Sequence, residues 1–236
     1  MYIPFRFFLS NKEKVNKICE KFSTFVLLPA ITKSNYEKLI ENNLKDILSK
    51  NIKGIVISNL SHLEILQKYK NEIKSLDIIA NYTLNIANDN TVRELQKIKV
   101  SKYIVSPELD KESIQDLKGN ILKETIVYGR ILLMNTEYCA IGTLKNCPGL
   151  CEKGTYKLKD RMGFEFPIYT DRINCNNLIY NSKITSISWK DLNTDSIRID
   201  ILEETEEEIK EIINIHKRGD RLEGENYTNG NLNRGI

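Results

Sequence analysis

The sequence predicts an α/β fold in which a partial TIM-barrel-like (βα) repeat is followed by a cysteine-rich β-hairpin region and a small α+β tail. In the first part of the chain, short apolar runs alternate with amphipathic helical segments. After Met134 the composition shifts to Asn, Gly, Lys and Cys, with frequent turn signals. We therefore predict three domains, at residues 1–134, 135–190 and 191–236.

Five short apolar runs predict the strands of the repeat, and they recur roughly every 23 to 30 residues. The runs are 25–28, 55–57, 78–80, 103–105 and 126–128. Wholly apolar strands are typical of a parallel sheet covered by helices. A complete eight-unit barrel takes about 250 residues, so we predict a partial barrel, with a smaller open sheet as the alternative. The apolar start, residues 1–8, is predicted to be a further strand.

Helix starts are predicted from capping signals between these runs. The spacing of a capping box occurs at Ser34 with Glu37, Ser61 with Glu64, Thr91 with Glu94 and Thr205 with Glu208. Asp110 is predicted to start another helix. In the tail, a strand at 197–202 precedes the helix that begins near Thr205, and Gly219 is expected to end that helix. A hairpin is predicted at 156–168, with its turn near Met162 and Gly163.

The composition is that of an ordinary globular protein, with 41% hydrophobic and 28% charged residues. A formal net charge of +3 is too small to demand a nucleic-acid partner. No secretory signal and no apolar run of membrane-spanning length are found, so we expect a cytoplasmic protein without a membrane partner. Thiols stay reduced in the cytoplasm, and this favours metal binding over disulfides for clustered cysteines.

Four of the five cysteines fall within residues 139–175: Cys139, Cys147, Cys151 and Cys175. Pro148 and Gly149 are expected to hold a tight turn between the middle two. The spacing indicates a metal centre, but it matches neither the ferredoxin run nor paired zinc knuckles, so iron–sulfur and zinc both stay open. Four structural cysteines that never meet are the alternative. Cys19 is interpreted as a small apolar residue on a helix.

The sequence around the cysteines resembles peptidase family U32, the collagenase-like protease family. The resemblance is carried by segments 127–134, 136–139, 159–163, 166–168 and 171–175, together with upstream pieces at 54–60, 84–88 and 106–109. The segments occur in the family's order over roughly residues 52–182. Two positions depart from the pattern: Ala140 stands where Pro is expected, and Asn231 where His is expected.

The resemblance implies a TIM-barrel-like domain with a 4Fe-4S cluster whose ligands are the four clustered cysteines, with zinc as the alternative metal. Family members include enzymes that hydroxylate bases of ribosomal or transfer RNA, and prephenate is implicated as a hydroxyl donor for some of them. The family's N-terminal barrel strands are not found in this sequence. The chain therefore resembles the C-terminal part of a longer, clostridial-type member, and a missing N-terminal half-barrel or a partner subunit is an expected partner.

Candidate substrate-binding residues follow the predicted strands, because barrel chemistry lies at the carboxyl ends of strands. These are Asn59, Asn85, Glu108 and Arg130, and Arg161 joins them from the hairpin turn. The fork of Arg130 suits a carboxylate or a phosphate. The alternative is that these residues cap helices, bridge loops or, for Arg161, form a surface ion pair with Asp160.

Three functions are compatible with the sequence. The first is oxygen-independent hydroxylation of an RNA base, and the second is the collagenase-like protease activity of the family's label. The third is a non-catalytic module or partner subunit with a structural cluster. Protease chemistry has little support, because the chain has only two histidines and neither lies in a recognisable catalytic motif.

RNA is a candidate partner because basic residues surround the cysteines, with aromatic residues between them. The basic residues are Lys145, Lys153, Lys157, Lys159, Arg161 and Arg172, and the aromatic ones are Tyr138, Tyr156 and Phe164. A solvated charged face is the alternative interpretation.

Overall fold

The computed structural model describes residues 1–142, 147 and 149–234. It separates into two compact units, Met1–Thr125 with Thr194–Ser196, and Ile126–Asn193 with Ile197–Ile236. Compactness alone does not establish independent folding. The three predicted domains therefore stay a prediction.

The first unit is built on a parallel sheet whose strands follow one another in the order β1-β2-β3-β4-β5-β6. The strands are β1 (Tyr2–Pro4), β2 (Phe25–Leu27), β3 (Gly54–Ile57), β4 (Asp77–Ala80), β5 (Lys102–Ile104) and β6 (Leu122–Gly129), of which the last continues into the second unit. All five apolar runs predicted from the sequence are strands. The α/β class is confirmed. The TIM-barrel-like repeat is not, since the residues that the structure describes form no closed barrel.

Six helices connect these strands: α1 (Phe5–Ser10), α2 (Lys12–Lys21), α3 (Ser34–Leu48), α4 (Ser61–Gln67), α5 (Asp89–Lys97) and α6 (Lys111–Asp116). The longest, α3, buries one face in the core through Tyr36, Ile40, Leu44 and Ile47. Val26 of β2 belongs to the same core. Each large apolar side chain fully buried in this way contributes about 1.5–3 kcal/mol.

The start of the chain differs from the predicted strand at 1–8. β1 ends at Pro4 and α1 follows directly. Proline has no N–H to donate to a strand ladder, and its fixed φ suits the residue before a helix. Phe5 and Phe8 are three residues apart, so the helix directs both into the core, where they are 1% and 0% exposed.

Three of the predicted capping boxes are wrong. Helices α3 and α4 have Lys33 and Leu60 as N-caps, without a side-chain cap hydrogen bond. Helix α5 begins earlier than predicted, because the Asn88 side chain accepts from the backbone N–H of Thr91 at 3.0 Å. The prediction for Asp110 is confirmed, since its carboxylate accepts from the N–H of Ser113 at 2.8 Å.

The second unit contains an antiparallel sheet of order β7-β10-β9-β8. Its strands are β7 (Leu132–Thr136), β8 (Tyr156–Lys159), β9 (Glu165–Asp171) and β10 (Asn176–Tyr180). Strands β8 and β9 form the predicted hairpin, and Gly163 in its turn has a φ of +89°, which glycine adopts without strain. The sequence did not predict that β10 and β7 complete a four-stranded sheet.

The rest of the second unit includes further strands, two of which pair with β6, and a helix. The strands are β11 (Ile184–Ser186), β12 (Ser196–Ile199) and β13 (Tyr227–Thr228), and the helix is α7 (Glu206–Lys217). β11 pairs antiparallel with β6 and parallel with β13, and β12 also pairs with β6. Both hydrogen bonds of the predicted capping box between Thr205 and Glu208 are present. The helix ends as predicted, with Gly219 at a φ of +78°.

Both histidines are fully buried, His62 in the first unit and His216 in the second. Nδ1 of His62 accepts from the N–H of Ser58 at 3.2 Å, so the proton of the neutral ring is on Nε2. Burial lowers the pKa of His62 from 6.5 to about 4. Burial also lowers the pKa of His216, whose ring lies 5.8 Å from that of Tyr128. Because the ring of His216 is neutral, it has no positive charge with which to stabilise the C-terminal end of α7.

Gly54 lies where β3 and β4 approach too closely for a side chain. A Cβ added there would lie 2.0 Å from the carbonyl oxygen of Asp77. We expect Gly54→Ala to lower the free energy of unfolding by about 1–3 kcal/mol, because the strands must separate. The control is Gly154→Ala, where the nearest atom would be Tyr156 Oη at 3.9 Å. Equal urea midpoints for the two variants would contradict this.

The buried histidines predict a pH dependence of stability. The unfolded chain binds a proton on His62 at a higher pH than the folded chain does. The contribution of His62 to the free energy of unfolding should therefore be constant above about pH 6.5 and fall as the pH drops towards 4, by about 3 kcal/mol. Urea titrations of the wild type and His62→Asn test this, since Asn retains an acceptor for Ser58. The same pH slope in both proteins would rule out His62 as the cause.

Candidate metal centre

The four-stranded sheet brings two of the clustered cysteines to one end. β7 ends at Thr136, three residues before Cys139, and β10 begins one residue after Cys175. The strands are antiparallel, and Thr136 lies opposite Asn177. The end of β7 and the start of β10 therefore meet, although Cys139 and Cys175 are far apart in sequence.

Cys151 lies on the segment that leads into β8. Because β8 and β10 are both antiparallel to β9, the chain enters both strands from the same side of the sheet. The first residue of β8, Tyr156, lies opposite Ile168 and so is level with Ile179, three residues after the start of β10. Cys151 precedes β8 in a 3₁₀ turn, Leu150–Glu152. The hydroxyl of Tyr156 donates to the carbonyl oxygen of Leu150 at 2.8 Å and fastens this turn to the strand.

Cys147 lies on the segment between Cys139 and Cys151, and its side chain is exposed. Gly149 follows it with a φ of +66°, a conformation that favours glycine. Pro148, which the sequence placed in the same tight turn, lies outside the described residues.

The sulfur of Cys139 lies among hydrogen-bond donors. The backbone N–H of Ile141 lowers the pKa of this thiol most. The N–H of Gly142 and the side chain of Asn177 act in the same direction, against a smaller opposing effect of burial. Donors around a sulfur stabilise the thiolate, which is the form that binds metals. Cys139 is therefore prepared to act as a ligand.

Cys175 lies in the turn between β9 and β10, with a φ of +54°. A residue with a Cβ pays about 1–2 kcal/mol for this left-handed conformation. The turn is closed in part by the carboxylate of Asp171, which accepts from the N–H of Ile173 at 3.0 Å. Strain of this kind is common where a side chain must point in a functional direction.

The donor set fits a thiolate metal centre in its chemistry. The described residues contain no disulfide, so all four sulfurs are free cysteines. In residues 1–142, 147 and 149–234, however, no three His, Cys, Asp or Glu side chains lie close enough together to hold a metal ion. The fold thus brings the segments of Cys139 and Cys175 together beside paired strand ends, without closing the cysteines around a single point. Cys19 is 4% exposed within α2 and lies in the core of the first unit, as predicted.

Three candidate substrate-binding residues lie after parallel strands of the first unit. The Asn59 side chain accepts from the N–H of Ser61 at 2.9 Å and donates to the carbonyl of Ala30 at 3.2 Å. Asn85 has a φ of +52°, and its side chain accepts from the hydroxyl of Ser106 at 3.1 Å. The backbone N–H of Glu108 points to the same hydroxyl at 3.4 Å.

Sequence reasoning missed the buried polar residues that support this edge. The Asn81 side chain donates to the hydroxyl of Ser58 at 2.9 Å, and the hydroxyl of Thr83 donates to the carbonyl of Ser58 at 2.9 Å. Ser58, Asn81 and Ser106 are each at most 4% exposed. A polar residue directly after three of the five apolar runs, at Ser58, Asn81 and Ser106, was the available signal.

Arg130 and Arg161 belong to the second unit. Nη1 of Arg130 donates to the carbonyl oxygens of Asn181 and Ser182, at 2.9 and 2.5 Å. These contacts give Arg130 a role in fastening the segment after β10. Arg161 is exposed in the β8–β9 turn, and the carboxylate of Asp160 accepts from the backbone N–H groups of Met162 and Phe164.

The basic residues proposed to contact RNA are exposed, except for Lys145, which lies outside the described residues. Lys157 pairs with Glu165 at 3.1 Å, with both side chains about half exposed. Ion pairs of this kind contribute about 0–1 kcal/mol. The aromatic residues Tyr138 and Phe164 are 68% and 42% exposed.

The fold and the candidate site together give the class of this protein. It has an α/β unit, followed in the chain by an antiparallel sheet with cysteines next to its strands. The model of peptidase family U32 matches residues 12–159, which is more than half of the chain. The chain therefore belongs to peptidase family U32. The matched residues include Cys139, Cys147 and Cys151 and end before Cys175.

One solved structure was found to be similar, described as the structure of the U32 peptidase Mk0906. It is 14% identical over 54% of this chain and 60% of its own chain, with a TM-score of 0.43. This chain thus spans less than two thirds of that one, and the likeness is too low to support a structural argument. No curated protein matched. Within the described part of the chain, every helix is too short or too polar to cross a membrane.

The donors around Cys139 predict the pH at which it becomes reactive. Because its pKa is lowered, alkylation of Cys139 by iodoacetamide should reach half its maximal rate at a lower pH in the folded apoprotein than in urea. Mass spectrometry of the Cys139 peptide measures the rate, and the same peptide in urea is the control. A midpoint that is equal or higher in the folded protein would show that the donors do not stabilise the thiolate.

Proposed function

We propose that this chain is the cluster-bearing part of a U32 protein that hydroxylates an RNA base without oxygen. Cys139, Cys147, Cys151 and Cys175 would hold a 4Fe-4S cluster, which supplies electron transfer when bound. The observation that carries the proposal is the pairing of β7 with β10, which brings the segments that carry Cys139 and Cys175 together, with Cys151 on the segment that enters β8 from the same side.

The chemistry of the sulfurs supports iron–sulfur binding. Soft thiolates select iron–sulfur clusters, zinc or copper(I) over hard cations. Four thiolates on loops and turns at a sheet end can bend around a bulky group more easily than residues within strands. The donors at Cys139 are of the kind that also tune the potential of a cluster. Zinc is the alternative metal, and metal analysis separates the two.

The proposed reaction is a two-electron oxidation of a base C–H to C–OH. We assign the hydroxyl to a donor R–OH that is reduced to R–H in the same reaction, so that the step balances without a separate oxidant. Prephenate, through the family resemblance, is the proposed donor, and its carboxylates suit arginine recognition. Arg161 is exposed and remains a candidate for this contact. Nη1 of Arg130 already donates to two backbone carbonyl oxygens, so a contact between Arg130 and prephenate would use its other guanidinium nitrogens.

RNA is the proposed substrate because exposed Lys and Arg side chains occur in the same unit as the cysteines. Lysines contact phosphates, and exposed rings such as Tyr138 stack on unpaired bases. Both histidines are buried, and Nδ1 of His62 is already an acceptor. A peptidase that uses an accessible histidine as its base therefore has no support in these side chains.

Anaerobic purification with iron and sulfide analysis tests the cluster. We expect about four irons and four sulfides per chain, and a large loss of both in Cys151→Ala. The matched control is Cys19→Ala, which removes a thiol from the core of the other unit and should retain the iron. Zinc in place of iron, or equal iron in all three proteins, would overturn the assigned cluster.

The substrate is tested separately. The iron-loaded protein is incubated anaerobically with RNA and prephenate, and the RNA is digested to nucleosides for mass spectrometry. A nucleoside heavier by one oxygen atom, absent with Cys151→Ala, is the expected result. Full iron loading without such a nucleoside, together with cleavage of gelatin or collagen, would contradict RNA hydroxylation and support the peptidase alternative.

A further inference from the structure

Asn177 joins the two turns that carry Cys139 and Cys175. It is the second residue of β10 and lies two residues after Cys175. Its Nδ2 donates to the carbonyl oxygen of Tyr138 at 2.8 Å, immediately before Cys139. Its Oδ1 accepts from the hydroxyl of Thr170, on β9, at 3.1 Å. One carboxamide thus links β10 to β9 and to the segment that follows β7.

The side chain is unusual for its position. Asn177 is 1% exposed, although asparagine is mostly found at the surface. A buried carboxamide is costly unless its donors and acceptor are used, and both ends of Asn177 are used here. Asparagine also has low strand propensity, so neither burial nor local preference explains the residue.

We propose that Asn177 is a positioning residue that fixes Cys139 relative to Cys175 so that both bind the same metal centre. The bond to Tyr138 anchors the segment after β7 one residue before its cysteine, beyond the last strand pair at Thr136. Without it, the backbone after Thr136 has one anchor fewer to β10. This inference rests on the proposed metal centre and adds a residue that is not itself a ligand.

Variants of Thr170 and Asn177 can distinguish positioning of Cys139 from general support of the sheet, because the two ends of the Asn177 carboxamide have different partners. Thr170 lies opposite Asn177 in the β9–β10 pair, and its hydroxyl uses only the acceptor end of the carboxamide. Thr170→Val removes that bond and keeps the shape of the side chain and the bond to Tyr138. Asn177→Asp keeps the acceptor for Thr170, but its carboxylate cannot donate to Tyr138 or to the sulfur of Cys139.

The experiment titrates the reduced apoprotein with Co²⁺ under anaerobic conditions. Thiolate-to-cobalt absorption reports how many sulfurs bind the ion, a readout that a purely structural role would not change in a folded protein. The wild type and Thr170→Val should show the same spectrum. Asn177→Asp, and Asn177→Ala if the aspartate variant does not fold, should bind Co²⁺ about 10–100-fold more weakly and with fewer thiolates. Circular dichroism confirms that each protein is folded.

The outcomes distinguish this inference from the proposed centre. If the wild type gives no thiolate-to-cobalt absorption, the four-cysteine centre is wrong, and the role of Asn177 falls with it. If the wild type binds through thiolates and a folded Asn177 variant gives the same spectrum and affinity, the positioning role alone is overturned. Equal weakening in Thr170→Val and Asn177→Asp would also overturn it, since that result indicates general support of the sheet.

Discussion

The candidate centre depends on the pairing of β7 with β10. These strands lie at opposite ends of the cysteine-rich segment, and their register places Thr136 opposite Asn177. Because of this pairing, the chain leaves β7 towards Cys139 where it enters β10 from Cys175. The β8–β9 hairpin adds Cys151 on the segment that enters β8 from the same side. The ladder bonds hold the strands, whereas the cysteines lie just outside them. The sheet can therefore fix the direction of each loop and leave the loops free to bend around a metal group.

The first unit uses its strands differently. Its parallel strands are apolar, and the residues that follow them are polar, so Ser58, Asn81 and Ser106 form hydrogen bonds at the carboxyl edge of the sheet. Asn59 and Asn85 also form hydrogen bonds at this edge. The second unit has free thiols and exposed basic residues. The residues of the proposed metal centre and the exposed basic residues around it therefore lie in the second unit.

The parts of the fold that were predicted from sequence are those specified by local patterns. Strands β2 to β6 are apolar runs, and the capping box at Thr205 is a three-residue spacing whose partners are adjacent in the helix. The pairing of β7 with β10 was missed because it joins distant segments whose alternation is weak. The apolar start of the chain, which includes Phe5 and Phe8, has the composition of a strand. In the structure the strand ends at Pro4, and both phenylalanines lie in α1. The burial of His216 depends on packing that no local pattern encodes. The four cysteines were recognised by clustering, whereas Asn177 carries no motif.

The central claim is that four sulfurs from one end of one sheet meet at a single metal group. Crystals of the anaerobically purified protein, with diffraction measured on both sides of the iron absorption edge, test it most directly. The account predicts anomalous density within bonding distance of the sulfurs of Cys139, Cys147, Cys151 and Cys175. Clear electron density for the four cysteines with their sulfurs apart, and no iron signal between them, would contradict it.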